Sequence, residues 1–130
     1  MEAVQPAGWK RPSGYSNGMV SQGRVLFVAG QIGWDPADCT FHHADFVGQF
    51  DQALHNVVAV VHAAGGEAAH LARLTIFVVD KHQYLAALGA IGAAYRKHLG
   101  KHFPAMSLVQ VAALVEDRAL VEIEATAVIA

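Results

Sequence analysis

The stretch DFVGQFDQALHNVVAVVHAAGG, residues 45–66, runs directly into EAAHLARLTIFVVD, residues 67–80, and the change of period between them decides the fold class. In the first stretch Phe50, Leu54, Val57 (or Val58) and Val61 recur at the spacing that lines one face of an α-helix. Asp45 supplies a side-chain acceptor for the free amides of a first turn, and Gly65-Gly66 supplies a stop. Gln52, His55, Asn56 and His62 fall largely away from the apolar stripe. From Leu71 to Val79 the period becomes two: Leu74, Ile76 and Val78 alternate with Arg73, Thr75, Phe77 and Val79, which predicts a strand with at least one buried face.

The pattern extends in both directions. Residues 1 to 14 hold Pro6, Gly8, Pro12 and Gly14 and predict an extended or looped entry. Met19 to Ser21 and Val25 to Ala29 predict two strands joined by a short turn at Gln22-Gly23. Toward the C-terminus, a second helix over about His82 to Leu99 puts Tyr84, Leu88, Ile91 and Tyr95 on one stripe. Two strands follow, Ala105 to Leu114 and Leu120 to Ile129. The order β-β-α-β-α-β-β predicts an α+β sandwich, a mixed β-sheet with two helices on one face. The other face has no helix to cover it, so a homo-oligomer is expected.

With 130 residues, 54% of them hydrophobic and 15% charged, the expectation is a single domain over residues 1–130 and not a disordered chain. A formal charge of −2 offers a phosphate backbone no electrostatic hold, so no nucleic-acid partner is expected. Eight histidines would reverse the sign of that charge between about pH 7 and pH 5.5. The lone Cys39 and the absence of a signal-like N-terminus point to the cytoplasm. The longest charge-free apolar stretch, around Tyr84 to Tyr95, falls short of the roughly 20 residues that span a bilayer, so no membrane association is expected.

Five landmarks stand in a recognisable order: Gly14-Tyr15-Ser16, the run from Leu26 to Ile32, the Asp-x-x-x-Gln-x-x-Gln-Ala-Leu-x-Asn run from Asp45 to Asn56, Phe103-Pro104-Ala105, and Val121-Glu122-Ile123-Glu124-Ala125. In order and spacing they resemble the Rid family of reactive intermediate deaminases (RidA/YjgF), from about Gly14 to Ile129. The resemblance implies a chorismate-mutase-like fold and a homotrimer with ligand clefts between neighbouring subunits. It also implies hydrolysis of enamines and imines such as 2-aminoacrylate to a keto acid and ammonia, with no cofactor.

Residue by residue, the resemblance makes Glu122 the group that positions the attacking water, a sensible general base for addition to an imine carbon. The alternative is a solvated glutamate beside Glu124 on a polar strand face. Tyr15 borders the implied cleft, with Gly14 in place of the family's proline, or is simply an interface aromatic. The Gly30-Gln31 backbone lines the same cleft. The family's carboxylate-binding arginine falls at Met106, its cysteine two residues on at Leu108, and a helical asparagine of some members at Leu88. A guanidinium donates two parallel hydrogen bonds to a carboxylate, each contributing about 1.5–3 kcal/mol, whereas a thioether donates none. A loss of about tenfold to a thousandfold is therefore expected for small 2-imino acids. Leu88 and Leu108 can equally be core residues.

His42-His43 with Asp45 lacks a fourth ligand, so no metal site is expected. His55 and His62 are expected to face solvent. Arg96, Lys97 and Lys101 form a cationic end to the second helix that suits the helix dipole, and would hold an anionic tail only if they border the cleft. Three functions follow: an imine or enamine deaminase acting on a substrate larger or less acidic than 2-aminoacrylate, a non-catalytic ligand-binding trimer, and an endoribonuclease, the last disfavoured by the charge.

Overall fold

The computed structural model describes residues 1–130, with strands β1 Glu2–Val4, β2 Gly18–Val20, β3 Arg24–Ile32, β4 Leu71–Val78, β5 Ala105–Gln110 and β6 Val121–Ile129. Helix α1 spans Phe46–Ala63, α2 Lys81–Leu85 and α3 Leu88–Leu99. Four strands form the main sheet in the order β3-β6-β4-β5, antiparallel except for the parallel pair β4–β5. The α+β class and the mixed sheet stand as the sequence predicts.

Helix α1 begins where Asp45 accepts a hydrogen bond from the Gly48 amide at 2.9 Å. It ends in a Schellman motif: Gly65 takes φ +84°, its amide donates to His62 O, and the Gly66 amide reaches back to Val61 O. Phe50, Leu54, Val57 and Val61 are buried as the periodicity requires, each full burial contributing about 1.5–3 kcal/mol. They lie against Leu74, Ile76, Val78, Val121 and Ile123 on one face of the sheet, in one core cluster.

Four expectations need correction. Met19 and its neighbours do not form a hairpin with β3. β2 pairs instead with β1, a strand not foreseen in the N-terminal segment, because three exposed residues carry no periodicity. The helix expected over 82–99 breaks at Ala86-Ala87 into α2 and α3, and Asp80 caps the first piece through the His82 amide. β5 ends at Gln110 instead of Leu114. Asn56, placed off the apolar stripe, is buried, since its Nδ2 donates to Ile32 O and Trp34 O while its Oδ1 accepts from Gln52. Gln49 is buried too, donating to His43 O and Arg118 O and accepting from the Leu120 amide. Backbone groups stranded under the loops need partners there, and polarity alone does not reveal that need. No helix is long and apolar enough to cross a membrane.

Candidate active site

The five sequence landmarks collapse into two clusters. In the first, the Gly14-Tyr15-Ser16 loop is stitched to the entrance of β5: the Ser16 amide donates to Pro104 O at 3.0 Å and its hydroxyl to Phe103 O at 2.6 Å. In the second, β3 and β6 pair so that Ile32 lies opposite Glu122, and Asn56 of α1 holds the Ile32 and Trp34 carbonyls just beyond.

The first cluster borders a cavity of about 440 Å³ between β5 and the α2–α3 pair. Met106 and Leu88 are both in its wall, with Tyr84, Ile91, Tyr95 and Arg96. Met106 pairs with Leu74, whose side chain is fully buried, so Met106 points to the helical side of the sheet. Leu108 shares that face opposite Ile76, yet it packs partly buried against the core and does not line the cavity. Gly14 and Phe103 separate this cavity from a second of about 370 Å³, whose wall includes the 40% exposed Tyr15 with Trp9 and Arg11.

Glu122 of the second cluster lies on the opposite side of the sheet, with Gly30 beside it. β6 alternates so that Val121, Ile123 and Ala125 enter the core, leaving Glu122 and Glu124 on the helix-free face. Between Val28 and Gln31 the register slips, so Ala29 and Gly30 bulge opposite a single residue of β6. A Cβ on Gly30 would come within 2.8 Å of Glu122 Cδ, so glycine leaves room for that carboxyl group. Gln31 folds its amide back onto Ala29 O at 3.1 Å, bracing the bulge. Glu122 is half-buried and belongs to none of the three ion pairs of the chain. Within one chain, therefore, Glu122 with Gly30 is not brought together with Met106 and Leu88, since the sheet stands between them; Gln31, beyond the bulge, pairs with the core residue Ile123.

Of the cationic group Arg96, Lys97 and Lys101, expected to hold an anionic tail only if it borders the cleft, Arg96 alone lines this cavity. The neighbouring Lys97 pairs with Asp51 at 3.2 Å. Tyr95 buries its hydroxyl with no hydrogen-bond partner, its ring stacked 6.1 Å from Phe103, and burial pushes its pKa up. The stripe Tyr84, Leu88, Ile91 and Tyr95 lines the cavity, which puts its neighbour Arg96 at the border that the anionic-tail reading required.

The metal reading also changes partners. His43 packs against Gly48 and Asp45 caps α1, whereas His42 lies near Asp35 and Asp38 in an exposed loop. Those carboxylates have local work: Asp35 accepts from the Ala37 amide, and Asp38 accepts from the Thr40 hydroxyl and amide, which holds its carboxyl below the ordinary value.

A family model described as Endoribonuclease L-PSP matches residues 9–129, and curated relatives align over most of their length. The chain belongs to the Rid family. A Rid relative from Escherichia coli named 2-iminobutanoate/2-iminopropanoate deaminase is 36% identical over 109 residues, 84% of this chain and 83% of that one. Among solved structures, the Rid protein YyfB of Yersinia pestis, described as of unknown function, superposes with a TM-score of 0.85 at 32% identity, covering 98% of each chain. TdcF of Escherichia coli, solved with bound serine, gives 0.70 at 30% identity and 100% coverage of both chains.

Proposed function

We propose that the protein hydrolyses a reactive imine or enamine to a carbonyl compound and ammonia, without a cofactor, in a cleft between copies of a homotrimer. The observation that carries this reading is the Glu122 carboxyl group, half-buried against the Gly30 bulge and free of any ion pair. A carboxylate so placed has an acceptor to spare for water. It takes a proton from the water as oxygen adds to the imine carbon. That proton passes to nitrogen, giving a carbinolamine; the hydroxyl then gives up its own proton, relayed by Glu122 to the amine, as the C=O forms and the C–N bond breaks, so that imine plus water have become carbonyl plus ammonia. An enamine enters the same route after taking up a proton on carbon.

Three further features support it. A deaminase name is carried by a relative 36% identical, and the structurally similar TdcF holds serine, an amino-acid-sized ligand. The separation of Glu122 from the Met106 cavity is what a site shared between copies requires, and Val25 and Phe27 leave apolar surface on the helix-free side for a neighbour. With Met106 where the resemblance puts the arginine, the substrate is larger or less acidic than 2-aminoacrylate. The lone, exposed Cys39 suits the reducing cytoplasm. The second reading, a ligand-binding trimer without turnover, draws on the same apolar Met106.

The test is release of pyruvate and ammonia from freshly generated 2-iminopropanoate. Wild type is expected to be at least about tenfold slower than Met106→Arg, and Glu122→Gln in that background is expected to abolish turnover. A fast wild type silenced by Glu122→Gln would remove the specificity claim and leave a RidA-like deaminase. Silence from wild type and Met106→Arg alike would favour the binding trimer.

A further inference from the structure

The cavity behind Met106 is apolar along most of its wall, yet it carries one cation and one orphaned donor. Arg96 projects from α3 and reaches back across Gly92: a Cβ at position 92 would stand only 3.3 Å from an Arg96 guanidinium nitrogen. Glycine at that position leaves the guanidinium room to lie against the helix at the cavity rim. Nothing in the chain neutralises it, since the three ion pairs take up His42, Lys97 and His98 and leave Arg96 out. Deeper in the cavity, Tyr95 is 7% exposed and its hydroxyl has no partner. A phenol is protonated at neutral pH, and burial pushes its pKa further up, so the unpartnered O–H is free to donate.

We propose that Arg96 is the anion-binding residue of this cavity, and that the ligand is an amphipathic acid. Its apolar body, aryl or branched alkyl, lies against Leu88, Ile91 and Met106. Its carboxylate meets the Arg96 guanidinium at the rim, and a polar atom between the two ends accepts the Tyr95 hydroxyl. Chemistry supports this over a small acid held deep in the cavity: a carboxylate beside Met106 would lose its water for a thioether. At the rim it keeps part of its hydration and gains a two-pronged donor. The volume, about 440 Å³, has space for a phenyl-sized group and a short chain. The assignment rests on the deaminase reading for its relevance to turnover, but binding can be tested without it.

The experiment is calorimetric titration of the full-length protein with 4-oxo-4-phenylbutanoate, 4-oxo-4-phenylbutanamide and acetate, for wild type, Arg96→Gln, Arg96→Lys and Tyr95→Phe; the ketone oxygen is the mid-chain acceptor for Tyr95. Wild type is expected to prefer the acid over the amide by about tenfold or more, as a charge-assisted hydrogen bond requires, and to bind acetate too weakly to detect. Arg96→Gln should erase the preference, Arg96→Lys should keep part of it, and Tyr95→Phe should weaken both phenyl ligands. Arg96 is exposed on its helix, so these variants should fold, with far-UV circular dichroism as the check. Equal binding of acid and amide by wild type, no binding of either, or an acid preference that survives Arg96→Gln would each overturn the proposal. If the preference follows Arg96 while no imine is hydrolysed, the deaminase reading fails and this one stands. If 2-iminopropanoate is hydrolysed while the preference is absent, the reverse holds.

Discussion

Tyr95 pays a desolvation cost that the protein alone does not recover: its hydroxyl is buried and partnerless, and burial pushes its pKa up. Removing that oxygen should therefore stabilise the ligand-free protein. Tyr95→Phe is expected to raise the unfolding free energy by about 1 kcal/mol, the lower end of the cost of an unpaired buried polar group, read as a shifted urea midpoint at unchanged m-value. A loss of stability would mean that the hydroxyl has a partner in the assembled protein. Asn56 and Gln49 are the opposite case, polar side chains whose acceptors and donors are all engaged. Both belong to the run from Asp45 to Asn56 that marks the resemblance, and the structure gives that run a physical role: it ties the chain after β3 and the turn before β6 to α1. Sequence reading placed Asn56 outside the core because it scores polarity, whereas burial here follows the needs of distant carbonyls.

At the scale of elements, α1 was fully legible, since cap, stripe and glycine stop agree on its limits. The α2–α3 break was not. Ala86 and Ala87 are good helix formers, and the kink comes from Ala87 at φ −123°, a conformation no local residue preference announces. What locks α3 onto α1 is also unreadable from spacing: Asp51 accepts from His98 at 2.6 Å and from Lys97 at 3.2 Å. Burial opposes ionisation of Asp51, but the hydrogen bonds and charges of His98 and Lys97 outweigh it, so the carboxyl group is held below its ordinary value. A folded-state pKa below the unfolded one adds stability at pH values above the unfolded value near 4, and that stability is lost as pH falls through the folded value. Wild type should therefore be more stable than Asp51→Asn at pH 7, by less than about 1 kcal/mol because the carboxyl group is a third exposed. The gap should narrow as pH falls below the unfolded value and through the folded one, as followed by urea unfolding across an acid pH series. A gap that stayed constant would assign the pair's worth to packing.

Across the whole molecule, the helix-free face is less uniformly apolar than the strand patterns suggest. Glu124, Thr126, Arg73 and Thr75 occupy its middle, and the large exposed side chains are concentrated on β3, where Phe27 is 79% and Val25 54% exposed. If that face is covered by a second copy, Phe27→Asp should dissociate the assembly by burying a charge at the contact. Sedimentation velocity would then report a lighter species with unchanged circular dichroism, and imine hydrolysis should fall with it. An unaltered sedimentation coefficient would move the interface elsewhere. The α+β class and the mixed sheet followed from the helix and strand periods, whereas the strand order β3-β6-β4-β5 and the gathering of the landmarks into two clusters did not. Which side of the sheet each candidate occupies depends on register and on the Ala29-Gly30 bulge, and no residue pattern stated it. That placement has a genetic consequence. Since Glu122 and Met106 lie on opposite faces, a chain that lacks the carboxylate and a chain whose cavity is blocked are damaged in different halves of a shared site. Under the proposed arrangement, two defective alleles expressed in one cell would assemble mixed rings in which an intact half meets an intact half, and the pair would complement where neither works alone.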